Sequence, residues 1–224
     1  VDATVTVLDR PQIPAVEYLP RPVAVRAPSA HDAPPGRFFE REFTGDDDGT
    51  RGTLAHAWLE RITWLDDSGL DAIDASEVLS AAAVDAGRPI DADLAAAVHA
   101  VVARSLDGPM AAVLHRGRCA AWGCDALEVR VEMPFALATG DGLVRGRMDR
   151  VVLGLRDGRV ERAEVVDWKT GARGLAGTEF EERIAPYRRQ MAAYREALGT
   201  MFGLAPDRVT AVLAMVDRGE LIEA

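Results

Sequence analysis

The segment EVVDWKTG, residues 164–171, ends an apolar run with an acid, a lysine and a glycine. Its valines predict a strand, because β-branched residues are typical of strands. Side chains two positions apart on a strand share one face, so Asp167 and Lys169 point the same way, while Val166 and Trp168 point into the opposite layer. The end of this strand therefore presents a carboxylate and an ammonium group side by side.

A second acid precedes this strand, in a predicted hairpin whose turn is centred on Asp157 and Gly158. A three-residue loop with the glycine in the left-handed conformation pairs Asp149 with Asp167. A two-residue loop pairs Asp149 with Val166 instead and sends the two acids to different faces. The sequence leaves both registers open, and only the first brings the carboxylates together, with their β-carbons roughly 5 Å apart.

Two adjacent carboxylates repel each other unless a proton or a cation lies between them. Mg²⁺ prefers one or two protein carboxylates, with water and substrate phosphate completing its shell. Asp149 and Asp167 together offer such a site, and Lys169 beside it is suited to orient an attacking water or to hold a phosphate. The pattern predicts metal-dependent attack on a phosphodiester. A plain ion pair between Asp167 and Lys169 at a strand end is the alternative for so short a motif.

The composition limits the classes of protein to which the chain can belong. Its 224 residues are 48% hydrophobic and carry a formal net charge of −10, which predicts a soluble domain and argues against a uniformly basic nucleic-acid-binding surface. No apolar run approaches the length of a membrane span. Cys119 and Cys124 are too few for a disulfide framework or a cysteine-held metal site. With no export signal visible, we expect a cytoplasmic protein.

The hydrophobic pattern divides the chain into an arm and one α/β domain. Residues 1–45 are rich in proline and predict an extended arm or linker, and residues 46–224 predict the domain. Within the domain we expect a helix at 51–65, three short helices up to about residue 117, a meander of three strands, a long helix and a last strand. Because the chain opens on Val1 and not on methionine, we expect a piece of a longer polypeptide.

Five segments resemble, in their order, the motif series of the RecB-type branch of the PD-(D/E)XK nuclease superfamily: GTLAHAWLE, VEMPF, GRMDRVVL, VVDWKTG and YRRQMAAYREAL. The resemblance is strongest to the C-terminal nuclease domain of AddA-type helicase–nucleases and covers about residues 52–224. It implies a PD-(D/E)XK nuclease-like fold, with a mixed central sheet flanked by helices and a helical N-terminal portion. Met148 stands where the superfamily's name has proline, a departure that this branch commonly tolerates.

The resemblance also implies roles for single residues at matching positions. Glu132 occurs where relatives often have a glutamate, and we expect a structural or supporting role for it. Gln190 and Tyr194 match the QxxxY motif of the family, although Tyr194 also belongs to the packing stripe of its helix. The full predicted site comprises the metal ligands His56, Asp149, Asp167 and the carbonyl of Trp168, and the catalytic residues Asp149, Asp167, Lys169, Gln190 and Tyr194.

The function that the resemblance implies is a Mg²⁺- or Mn²⁺-dependent deoxyribonuclease, and more narrowly an exonuclease. Its substrate would be single strands delivered by a helicase during the processing of double-strand ends. The four cysteines that hold an iron–sulfur cluster in AddB-like relatives are missing, so we expect no cluster. A G-x-x-x-x-G-K-[ST] loop is also missing, so the motor is expected elsewhere in a longer chain or on a partner subunit. Four arginines are predicted to contact the DNA backbone: Arg147, Arg150, Arg188 and Arg189.

A protein of another class remains the alternative to this prediction. A nuclease-like scaffold that has lost cleavage can serve as a DNA-binding or bridging module. Inactivated relatives usually lack one of the acids or the lysine, whereas Asp149, Asp167 and Lys169 are all present here. The sequence therefore favours the enzyme over the silent module.

Overall fold

A mixed β-sheet lies at the centre of the computed structural model, which describes residues 25–26, 47–139 and 142–224. Strands β2 to β6 follow one another across the sheet, and β1 pairs with the first residues of β3. The β1–β3 and β4–β5 pairs are parallel and the other pairs are antiparallel. The strands are β1 (Val25–Arg26), β2 (Ala126–Thr139), β3 (Gly142–Arg156), β4 (Arg159–Lys169), β5 (Val209–Met215) and β6 (Glu220–Glu223).

Helices cover both faces of this sheet. The predicted helical N-terminal portion packs on one face and the long helix near the C-terminus packs on the other. The third short helix that the sequence predicts is replaced by two 3-10 segments, Pro109–Leu114 and Arg116–Trp122. The α-helices are α1 (Asp47–Leu59), α2 (Ala75–Ala86), α3 (Ala92–Leu106) and α4 (Gly177–Phe202). The predicted fold class, a mixed sheet flanked by helices, is confirmed.

The alternation of side chains along β4 follows the prediction. Val166 and Trp168 are buried in the core shared with α1, α2 and α3. Val165 belongs to the core shared with α4. Asp167 and Lys169 lie on this second face, where the Lys169 Nζ atom is 5.2 Å from the ring centre of Tyr187 on α4. The side chain of Lys169 therefore faces α4, whereas those of Val166 and Trp168 face the N-terminal helices.

The β3–β4 hairpin combines the two registers that the sequence left open. Its turn is the two-residue kind, because Asp157 and Gly158 have φ of 51° and 73° and Arg156 pairs with Arg159. The register then shifts by one residue at Gly154, which pairs with Arg162, so the longer-loop pairing is recovered. Gly154 packs tightly here, since a β-carbon on it would lie 2.7 Å from both Trp122 and Cys124.

As a consequence, the last β3–β4 pair joins Arg150 to Val166, and the next position on each strand is an aspartate. The prediction that Asp149 and Asp167 come together is confirmed. The reason is a bulge in the strands and not the three-residue loop on which the prediction was based.

Helix α1 begins and ends earlier than the hydrophobic period predicts. It spans Asp47–Leu59, not 51–65. After Leu59 the amide of Ile62 donates to the carbonyl of Leu59, a spacing that tightens the last turn and ends the α-helix. Ile62 and Trp64 remain buried, although they lie in a turn. Buried apolar residues in this irregular segment have the same spacing as those of a continued helix.

Most of the predicted arm at residues 1–45 lies outside the described residues. Val25–Arg26 forms β1, which pairs with Leu143 and Val144 of β3. The boundary between arm and domain at residue 45 stays a prediction.

Candidate active site

The predicted site residues meet where β3 and β4 part. Asp149 comes from β3, Asp167 and Lys169 come from the end of β4, and His56 comes from α1. The ladder between the two strands ends at the pair Arg150–Val166. Beyond this pair β3 and β4 are no longer joined by backbone pairing, and polar side chains lie between them.

The Asp149 carboxylate binds the β4 backbone where the next β3–β4 residue pair would lie. Its Oδ2 atom accepts a hydrogen bond of 2.8 Å from the backbone N–H of Trp168. The same oxygen lies 3.5 Å from Nδ1 of His56. This bond fixes the carboxylate against the end of β4. Asp149 is only 8% exposed there.

His56 contacts a second predicted ligand directly. Its Nε2 atom is 2.8 Å from the carbonyl oxygen of Trp168. Because a carbonyl only accepts, Nε2 carries a hydrogen and donates it, which leaves Nδ1 facing Asp149. Helix α1 thus places a ring nitrogen in the same space as the β3 carboxylate.

Asp167 is the most deeply buried acid of the site, with 0% of its surface exposed. The pKa of its carboxyl is raised from 3.8 to about 6, because burial and the nearby Asp149 raise it more than the attraction of Lys169 lowers it. Lys169 Nζ lies 2.5 Å from Oδ2 of Asp167. Burial lowers the pKa of Lys169, but Asp167 and Asp149 outweigh this, so the pKa is raised and the amine stays charged at neutral pH.

The donor set fits a divalent cation. Two carboxylates, one imidazole nitrogen and one backbone carbonyl lie around the point where β3 and β4 part, and oxygen-rich sets of this kind suit Mg²⁺ and Mn²⁺. The Oδ1 atom of Asp167 is buried and accepts no hydrogen bond from any described residue. A buried acceptor without a donor is costly, and a bound cation would satisfy it.

A second group of possible ligands adjoins this site. His56, Glu60 and Glu132 each place one ligand atom within 4.8 Å of the other two. From the sequence, Glu132 is expected to have a structural or supporting role, and Glu60 has no predicted role. Glu60 directly follows the last residue of α1, four residues after His56, and this spacing is the sequence signal that points to it.

Glu132 and Asp149 lie opposite each other at an irregular point of the sheet. The flanking pairs are Val131 with Arg150 and Met133 with Met148. Glu132 has φ of 50°, which is unusual for a residue other than glycine. Met148 and Val151 both pack in the α4 core, although strict alternation would place them on opposite faces. The sheet therefore changes the face that it presents beside the acids.

Gln190 and Tyr194 contact each other and the β3 backbone. Gln190 Nε2 donates to the Tyr194 hydroxyl at 2.6 Å, and that hydroxyl donates to the carbonyl of Arg147 at 2.9 Å. Both side chains are at most 5% exposed. These bonds hold α4 against β3 two residues before Asp149.

Arg150 does not lie on a DNA-facing surface, so the prediction that it contacts DNA is wrong. It is 1% exposed, and its guanidinium donates to the carbonyls of Ile62 and Thr63 at 3.0 and 2.7 Å. The guanidinium also stacks over Trp64, 5.0 Å from the ring centre. Burial lowers the pKa of Arg150 to about 10, so it stays charged. It holds the turn after α1.

The other three predicted DNA contacts lie at the surface. Arg147 is 65% exposed and pairs with Glu132 at 3.0 Å. Arg188 is 45% exposed and pairs with Glu181 at 2.6 Å. Arg189 is exposed as well. Their contact with DNA stays a prediction.

Comparisons with known proteins give the family. Among the curated proteins, none matches the chain. No helix in the described ranges combines the length and apolar character that crossing a bilayer requires. The model of the PD-(D/E)XK nuclease superfamily matches residues 35–223, which is most of the chain. Members of this superfamily cleave phosphodiester bonds and typically use divalent metal ions. The chain belongs to the PD-(D/E)XK nuclease superfamily.

Proposed function

We propose that the protein is a metal-dependent deoxyribonuclease. The observation that carries this is the convergence of Asp149, Asp167 and Lys169 at the point where β3 and β4 part. A structural ion pair needs only Asp167 and Lys169. The second acid, held in place by the Trp168 amide, supports a site built for a cation next to a permanent ammonium group.

Each ligand has a proposed task. Asp149, Asp167, the Trp168 carbonyl and His56 would hold the ion. When bound, a divalent ion neutralises phosphate charge and lowers the pKa of a coordinated water. His56 would bind the ion through Nδ1, the ring nitrogen that faces Asp149, because its Nε2 is engaged by the Trp168 carbonyl.

Lys169 acts in this proposal as a charged hydrogen-bond donor and not as a general base. Its raised pKa keeps the proton on Nζ at neutral pH. From there it can orient the attacking water or stabilise the charge that develops on the phosphate. It is also the one lysine in the chain, whose 25 other basic residues are arginines. A compact ammonium therefore serves here where a guanidinium does not.

Gln190 and Tyr194 are positioning residues in this account. They tie α4 to the carbonyl of Arg147 and so fix the β3 segment that carries Asp149. Removing the hydroxyl would move the carboxylate and not delete a reacting group.

The order of the five sequence motifs supports a narrower assignment. We propose an AddA-like, RecB-type nuclease domain that digests single DNA strands as an exonuclease, in the cytoplasm, during recombination and repair of double-strand breaks. Mg²⁺ or Mn²⁺ would be the cofactor, without an iron–sulfur cluster. The strands would come from a helicase motor in the same longer chain or in a partner subunit.

A cleavage assay tests this proposal. End-labelled single-stranded DNA is incubated with the chain and Mg²⁺ or Mn²⁺, and we expect products that vanish with chelator and in Asp167→Ala and Lys169→Ala. Asp207→Ala is the matched control, since its side chain is 78% exposed, at the opposite end of the sheet. Absence of cleavage by the unaltered chain with either metal would favour a DNA-binding module instead.

A further inference from the structure

Two arginines face one groove beside the turn that follows Lys169. Arg51 of α1 and Arg173 line it together with Thr170 and Gly171 of that turn. Apolar side chains from two helices and one acid complete its lining: Ala55, Val98, Val101 and Asp217. We call this the arginine groove.

The arginine groove adjoins the candidate active site. A β-carbon on Gly52 would lie 3.3 Å from the Thr170 hydroxyl, so α1 crosses this turn in close contact. One helical turn further along α1, His56 contacts the carbonyl of Trp168. The same helix and the same strand end thus form both the groove and the site.

The groove carries a net positive charge, because two guanidiniums and one carboxylate line it. Within residues 47–139 and 142–224, neither guanidinium of Arg51 and Arg173 has an ion pair or a hydrogen bond. The carboxylate of Asp217 keeps its charge, but its Oδ2 atom accepts the backbone N–H groups of Gly171, Ala172 and Arg173 at 3.0, 2.8 and 2.8 Å. The two unpaired guanidiniums are therefore a local positive patch in a chain with a net charge of −10.

We propose that the arginine groove binds the phosphodiester backbone of a single DNA strand next to the scissile bond. This inference rests on the proposed function. Guanidinium groups match phosphate oxygens in geometry and charge. Val101, the half-buried apolar residue of the lining, can pack against a sugar between phosphates. Contacts of this kind give affinity without sequence preference, and they would direct the strand over the turn toward Lys169.

Fluorescence anisotropy tests this with a fluorescein-labelled oligothymidylate and the whole chain. Chelator is present, so that no strand is cut. For a protein bound to a single strand, each phosphate contact removed reduces the magnitude of the slope of log K against log salt by about 0.7. The Arg51→Ala/Arg173→Ala double variant should therefore show a slope smaller in magnitude by about 1.4. At low salt its affinity should fall about tenfold for each arginine removed.

A matched control removes the same charge elsewhere. Arg159 and Arg208 lie at the starts of β4 and β5, at the opposite end of the strands from Lys169. The affinity of Arg159→Ala/Arg208→Ala should stay within about twofold of that of the unaltered chain. Its salt slope should change by less than about half of the value expected for one phosphate contact. Arg173→Glu alone should weaken binding more than Arg173→Ala. Thermal melts check that each variant is folded, and the substituted side chains are all exposed.

The outcomes separate this inference from the proposed function. Equal losses in the two double variants, or no loss in either, would overturn the groove as a strand path. Loss confined to the Arg51→Ala/Arg173→Ala variant supports it, even if the unaltered chain proves unable to cleave. Cleavage by the unaltered chain with unchanged binding in that variant would leave the nuclease standing and refute the groove.

Discussion

Replacing Arg150 with alanine separates a structural arginine from a DNA contact. The substitution deprives the carbonyls of Ile62 and Thr63 of their donors. Ile62 is buried, and a buried acceptor left unsatisfied costs about 1–3 kcal/mol. Thr63 is exposed, so water can replace the lost donor there. Loss of the stacking over Trp64 adds about 1 kcal/mol. We therefore expect the free energy of unfolding to fall by about 3 kcal/mol.

Urea denaturation followed by tryptophan fluorescence measures this change. Arg147→Ala is the matched control, because it removes a 65% exposed arginine three residues away on the same strand. We expect it to change the free energy of unfolding by less than about 1 kcal/mol. A loss below about 1 kcal/mol for Arg150→Ala, together with weaker binding of single-stranded DNA, would refute the structural account and restore the predicted DNA contact.

Three further perturbations test the site. In chelator, the raised pKa of Asp167 (from 3.8 to about 6) means that its ionised form costs stability above about pH 6, a cost that disappears as the pH falls. The free energy of unfolding of the unaltered chain minus that of Asp167→Asn should therefore increase by about 2 kcal/mol as the pH is lowered from about 7.5 to about 4. A decrease of this difference over the same range would contradict the prediction. Because Lys169 is the one lysine, ¹³C labelling of lysine gives a single Cε resonance, which should not titrate below about pH 10; a midpoint near neutrality would make it a general base. Tyr194→Phe removes the bond to the Arg147 carbonyl and should lower the free energy of unfolding by about 1–2 kcal/mol and weaken Mn²⁺ binding measured by calorimetry. An unchanged Mn²⁺ affinity would make Tyr194 purely structural.

The elements of the fold could largely be predicted from the sequence, because strands and helices here follow their periods. The alternation at Val165, Val166 and Trp168 placed each side chain in the correct layer. The meander and the long helix ending at Gly203 were also predictable, since valine-rich runs and a left-handed glycine mark them.

What the sequence concealed depends on contacts between distant segments. At the register shift, Gly154 packs against Trp122 and Cys124, a contact that no local pattern reveals. Arg150 is one of four arginines predicted to contact DNA, yet its guanidinium donates to a carbonyl in a turn 87 residues earlier.

The candidate site also contains residues that the sequence predicts and residues that it does not. Asp149, Asp167 and Lys169 were found from strand geometry, and His56 was identified only through its resemblance to the family. Glu60 and Glu132 are distant in the sequence and meet beside the irregular point of β2, and the four-residue spacing of His56 and Glu60 is the sequence signal for their place near the site.

Crystals soaked with Mn²⁺ and measured at the manganese absorption edge test the central claim most directly. The account predicts one anomalous peak in contact with carboxylate oxygens of both Asp149 and Asp167 and with the carbonyl of Trp168. A peak held by Glu60 and Glu132 without either aspartate, or the absence of any peak at saturating Mn²⁺, would contradict it.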